Sequence, residues 1–91
     1  MASNFQIFTF KTKDSLHLKL SGDFDGSSAY ELTNTIKSFR KDFNEIFVDT
    51  NGLKTIHQFG RVVFEKNFNG IKKQLKNLIF VGANNHKIAP N

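Results

Sequence analysis

The chain has 91 residues and a mass of 10.4 kDa, one domain's worth over 1–91, because two cores would leave about 45 residues each, near the lower limit for folding alone. Apolar residues make up 38% and charged residues 23%, too apolar for a disordered chain, and the lack of cysteine excludes disulfides, a thiol nucleophile and thiolate metal sites. The net charge of +5 is uneven: residues 1–50 balance at −1, whereas residues 51–91 balance at +6 with Glu65 as their one acid, so a basic half faces any anionic partner.

Phe5 to Lys11 is rich in Phe, Ile and Thr and reads as a strand with Phe8 and Phe10 on one face and Phe5 and Ile7 on the other. Thr12 to Ser15 suits a turn. Leu16-His17-Leu18-Lys19-Leu20 alternates, three Leu inward and His17 and Lys19 outward, which completes an antiparallel hairpin. Ser21 to Ser27, with Gly22 and Gly26, reads as a loop. Ser28 and Glu31 form a capping-box pattern, and Ala29, Leu32, Ile36 and Phe39 mark one helical face, predicting a helix over 28–40.

Glu45 to Asp49 predicts a short strand buried on both faces, as parallel strands are, with Thr50-Asn51-Gly52 as its break. Thr55 and Gln58 make a second capping-box pattern. Ile56, Phe59, Val63 and Phe64 then give the apolar face of a helix through Phe68, stopped at Asn69-Gly70, with Ile71 packing beyond the stop. A basic connection holds Lys72, Lys73 and Lys76, and Leu78 to Val81 is the last strand. That stretch is also the longest uninterrupted apolar run, far below the ~20 residues of a spanning helix. Asn84 to Asn91 has room for one helical turn cut by Pro90. The order β-β-α-β-α-β predicts an α/β domain built on one mixed four-stranded sheet, with right-handed parallel crossovers. The start of the chain has neither the basic nor the apolar stretch of a secretory leader, so a cytoplasmic location is expected.

Three acids fall at carboxyl ends of strands, where α/β ligands gather: Asp23, Asp25 and Asp49. Together they could hold Mg²⁺ for a phosphoacceptor or phosphoryl-transfer reaction. Alone, Asp in Gly-rich loops makes turns and caps helices. His17, His57 and His86 have no nucleophile or orienting acid at a spacing that makes a triad. No zinc spacing and no phosphate-cradling glycine cluster occurs. No catalytic residue, metal or cofactor is expected. The segment Lys66 to Lys76 could bind nucleic acid electrostatically. Phe68 shares a helical face with Phe64, so it belongs to the core rather than to a base-stacking platform, and nucleic acid is not the favoured partner.

Leu18 to Asp25, then Ala29, Glu31 and Leu32, together with Ile46 to Gly60 and Leu78 to Gly82, resemble the motifs of STAS domains (sulfate transporter and anti-sigma-factor antagonist). The resemblance covers nearly the whole chain and implies a STAS-like fold with a truncated closing helix. It implies a bacterial, non-enzymatic protein-interaction module. Partners would be an anti-sigma kinase, a signalling scaffold or a transporter ATPase subunit. The implied docking surface is the segment Thr50 to Thr55, with Asn51 and Gly52, and the start of the second helix at His57, Gln58, Phe59 and Arg61. In phosphorylated members the regulatory loop reads Asp, then Ser or Thr, then a small residue, then Gly. Here those positions are His57, Gln58, Phe59 and Gly60, so Gln58 stands where the phosphoacceptor would be and the usual switch is lost. A first strand at the sheet edge, with its many Phe rings, also invites pairing with a second copy, a homodimer.

Overall fold

The computed structural model describes residues 4–39, 41–70 and 77–82. The elements are β1 (Gln6–Lys11), β2 (Ser15–Phe24), α1 (Gly26–Phe39), β3 (Glu45–Ile56), α2 (Gln58–Asn69) and β4 (Leu78–Val81). They form one mixed sheet in the order β1-β2-β3-β4, the expected α/β architecture. The hairpin is antiparallel, with Phe8 opposite Lys19 and Phe10 opposite His17. The Ser15 N–H donates to the Thr12 hydroxyl at 3.0 Å, which fixes its turn. The β2–β3 and β3–β4 pairs are parallel. Ile71, the basic connection, and the expected last turn from Asn84 lie outside the described residues.

Both parallel crossovers step across the sheet in the same direction. With the right-handed path such connections take, both helices fall on one face. The core sits there: Leu16, Leu18, Leu20 and Phe24 of β2 pack with Leu32 and Ile36 of α1. Burying one such side chain stabilises by about 1.5–3 kcal/mol. Phe24 and Phe64 meet edge to face at 6.2 Å, and Phe64 meets Phe80 at 5.8 Å, so the rings lock β2, α2 and β4 together. Phe68 packs against this core, as its helical face required.

The opposite face of the sheet is covered by neither helix, which corrects the expectation that β3 is buried on both sides. Cross-strand register builds two rows there: Phe10, His17, Phe47 and Ile79 in one, and Phe8, Lys19, Asp49 and Val81 in the other. Phe8 and Phe10 are exposed, while Phe47 and Asp49 are half-buried.

Four boundaries differ from the sequence reading, each for a local reason. β2 runs on to Phe24 instead of ending at Leu20, because Gly22 and Phe24 continue its buried alternation. β3 runs on through Thr50-Asn51-Gly52 to Ile56, carried past them by register shifts against β2 between Lys19 and Ser21 and between Gly22 and Asp23. α1 starts at Gly26, and its cap is Asp25, not Ser28: the Ser28 N–H donates to Asp25 Oδ1 at 3.0 Å. The Thr55–Gln58 capping box does not form, because the Thr55 hydroxyl donates to the Asp23 carboxylate. α2 is instead capped at His57, whose side chain makes no cap hydrogen bond. Gly70 ends α2 with φ −74°, in the right-handed region, its N–H reaching the Asn67 and Phe68 carbonyls.

Candidate functional site

The carboxyl ends of β2 and β3 deliver the chain into the first turns of α1 and α2, side by side. The His57 N–H donates to the Phe24 carbonyl at 2.8 Å, which ties the start of α2 to the end of β2. Gly60 is buried against the Asp25 backbone: a Cβ there would lie 2.8 Å from the Asp25 carbonyl carbon and oxygen. Gly26 faces the Phe59 ring, 2.9 Å from where its own Cβ would stand. Two glycines thus let the helix starts touch. Neither helix has an acidic residue in its first turn; the Asp25 carboxylate caps α1, whereas α2 has no side-chain cap, so the positive end of the α2 dipole faces outward uncompensated.

On this frame His57, Gln58, Phe59 and Arg61 are all exposed. Phe59 does not join the core as its spacing suggested. It is 70% exposed, the most open large apolar side chain described, with Val62 40% exposed one turn on. Tyr30, 56% exposed, lies one turn beyond Gly26 on α1. These exposed apolar side chains stand on the opening turns of the two helices, with the exposed Arg61 beside them in sequence on α2. The signal of this arrangement in the sequence was Gly60, a glycine inside a helix pattern, which marks close backbone approach. Asn51 is exposed and Gly52 half-buried, but both belong to β3 rather than to a loop. A Cβ on Gly52 would meet the Leu20 carbonyl oxygen, so this glycine serves the β2 contact.

The three carboxylates are not brought together. Asp49 stands on the open sheet face, register partner of Lys19, and its Oδ1 accepts the Asn51 N–H at 2.9 Å. Asp23 lies four residues further along β2, about 13 Å away at strand rise, where it accepts from Thr55. Asp25 accepts the Ser28 N–H and hydroxyl. The Ser28 N–H, helped by the hydroxyl and opposed by partial burial, holds the Asp25 carboxyl below its ordinary value of 3.8. Among the described residues no group of three or more His, Cys, Asp or Glu could hold a metal ion. This corrects the reading of Asp23, Asp25 and Asp49 as one Mg²⁺ site: each already has a separate structural partner. Among the described residues no helix is long and apolar enough to cross a membrane.

No protein-family model and no curated protein matches the sequence. Solved structures do match in shape. An antisigma-factor antagonist STAS domain from Rhodobacter sphaeroides superimposes with a TM-score of 0.69 at 12% identity, covering 91% of each chain. An anti-sigma factor antagonist from Mycobacterium paratuberculosis gives 0.66 at 15% identity, over 86% of this chain and 67% of that one. Mglu in its L-glutamate binding form gives 0.74 at 10% identity over 93% of this chain. The chain spans only 18 to 28% of the length of the Mglu chains it matches. The fold is therefore the SpoIIAA-like fold of STAS domains.

Proposed function

We propose that this STAS-fold domain is a regulatory protein–protein interaction module that docks a partner on the converged starts of α1 and α2. The observation that carries the reading is Phe59, 70% exposed yet seated over Gly26, because a rigidly placed exposed aromatic is the usual anchor of a protein interface. Arg61 and the uncompensated start of α2 favour a partner surface with carboxylates. Anti-sigma-factor antagonists of the same fold support a kinase of the anti-sigma type, a signalling scaffold or a transporter ATPase subunit as partner. Lacking a hydroxyl at Gln58, the surface is not switched by the usual phosphorylation and stays competent to bind. The domain needs no catalytic residue for this role.

The test is capture of partners from cell extract, followed by direct titration of the captured protein. Phe59→Ala should fold as the parent does and weaken binding by about 2 kcal/mol or more, the cost of losing a hot-spot anchor. Arg61→Glu should weaken it further at low salt. If both variants bind as tightly as the parent, the partner docks elsewhere.

A further inference from the structure

The open face of the sheet lies away from the α1–α2 surface and has its own logic. Its central row pairs Lys19 with Asp49 across β2 and β3, flanked by Phe8 and Val81. Its second row is Phe10, His17, Phe47 and Ile79, with the His17 and Phe47 rings stacked at 4.8 Å. A hollow of about 490 Å³ opens between these rows. Lys19 makes no hydrogen bond or ion pair among the described residues, although Asp49 is its neighbour in register. The face is thus apolar with one unspent cation and one anion side by side. It is also locally neutral, while the basic half of the chain contributes +6 elsewhere.

We propose that this face binds a second copy of the chain, sheet against sheet, about a two-fold axis that runs between β2 and β3 and parallel to them. Such an axis keeps each position along the strands and exchanges left for right. Lys19 of each copy then stands opposite Asp49 of the other, twice per dimer. Phe8 meets Val81 of the second copy, and Phe10 meets Ile79. Under one symmetry operation every residue of the two rows finds a complementary one, which is what an isologous interface requires. A heterologous partner has no such match to explain, and an acidic partner is drawn to the basic half rather than to a neutral face. Two sheets packed this way sit about 10 Å apart, their strands within about 30° of alignment.

Area sets the strength. Four strands at ~4.8 Å spacing by five residues at ~3.3 Å rise give a patch of about 300 Å² in projection. Accessible area over protruding rings is larger, so the dimer buries roughly 600–1,000 Å² in total, at the low end for a specific interface. The association is therefore weak, with a dissociation constant of about 10 μM to 1 mM.

The experiment is sedimentation velocity on the full chain from about 10 μM to 2 mM, a range that brackets that affinity, with folding of each variant checked by circular dichroism. The parent should pass from monomer to dimer. Lys19→Asp alone leaves four carboxylates facing one another and should stay monomeric. Asp49→Lys alone leaves four ammonium groups and should also stay monomeric. Mixed in equal amounts, these two variants should form a heterodimer, because the two carboxylates of one chain then face the two ammonium groups of the other. A parent chain that is monomeric throughout overturns the proposal. So does a dimer that both single variants retain, which would place the contact at the β1 edge. So do two monomeric variants that fail to associate when mixed.

Discussion

Gly60→Ala tests the contact on which the docking surface depends. Gly60 lies in the first turn of α2, and helix propensity alone would reward alanine by about 1 kcal/mol. The geometry opposes this. The new methyl would stand 2.8 Å from the Asp25 carbonyl carbon and oxygen and 2.9 Å from its Cα, against a comfortable carbon separation of about 3.5–4.0 Å. The obstacle is backbone, and it is pinned: Asp25 takes the Ala29 N–H on its carbonyl and the Ser28 N–H on its side chain. Relief requires α2 to slide by nearly 1 Å while it is held by Val63, Phe64 and the His57 N–H bond to Phe24. Overpacking of this kind costs about 1–3 kcal/mol. In a domain of this size each kcal/mol lowers Tm by about 4–8 °C. The internal control is Gly70→Ala, where φ is −74° and the nearest atom is 3.5 Å away. That substitution should be neutral or stabilise by up to about 1 kcal/mol. Thermal and urea unfolding followed by circular dichroism measure both. A Gly60→Ala chain as stable as the parent, with Gly70→Ala no better, would refute the close contact of the helix starts.

Phe24→Ala removes a fully buried ring that joins Phe5 and Phe64, and should cost about 3–5 kcal/mol. That is a large share of the roughly 5–14 kcal/mol expected for 91 residues, visible as a large drop in urea midpoint. Asp25→Ala removes the α1 cap and should cost about 1 kcal/mol at pH 7. Its folded carboxyl titrates below the unfolded value of 3.8. The cap's charge-dependent stabilisation is therefore full above about pH 4 and is lost as pH falls through the folded value. The gap between parent and Asp25→Ala should narrow in acid, as unfolding at pH 2 and pH 7 would reveal. A gap of equal size at both would rule out the ionised cap.

The fold was legible in the sequence where periodicity and burial agree. Leu16, Leu18 and Leu20 alternate, and Ala29, Leu32 and Ile36 repeat at helical spacing, so β2 and α1 followed directly. Capping boxes were less legible because the pattern records a hydroxyl and an acid or amide but not which partner wins. Ser28 is drawn to the Asp23 carbonyl and the Asp25 carboxylate, and Thr55 to Asp23 across the strand. The tail of β3 was hidden for a similar reason. Thr50-Asn51-Gly52 has turn chemistry, but Gly52 is selected by its contact with Leu20, and Thr50 is buried with its hydroxyl on the Val81 carbonyl. Phe59 was hidden because helical spacing reports angle, not depth. It points toward the right side of α2 but lies over the start of α1, beyond the core. The open sheet face was the largest omission. That neither α1 nor α2 covers it follows from two right-handed crossovers taken in the same direction, and strand order is not written in any local pattern.

Gln58 connects these points to regulation. A capping role with Thr55 would have explained its identity without reference to function, but that bond is absent: Thr55 serves Asp23. Gln58 is exposed, and among the described residues its side chain makes no hydrogen bond. Nothing in the local structure therefore demands glutamine at the first position of α2. A negative charge there is compatible with the fold, since acids in a first helical turn stabilise by about 0.3–1 kcal/mol. Gln58→Asp should accordingly unfold no earlier than the parent. At the proposed surface the same charge would meet the partner's acidic groups. Binding should then weaken by about 1–3 kcal/mol, or roughly 5- to 150-fold, the scale of one repulsive charge at an interface. Gln58→Asn has nearly the same shape without the charge and should bind as the parent does. Titration calorimetry on the three chains separates charge from shape. Equal affinity for all three would refute an acidic partner at this helix start. Equal weakening in both variants would mean that the partner reads the glutamine itself, and a phosphate mimic at that position would then carry no regulatory meaning.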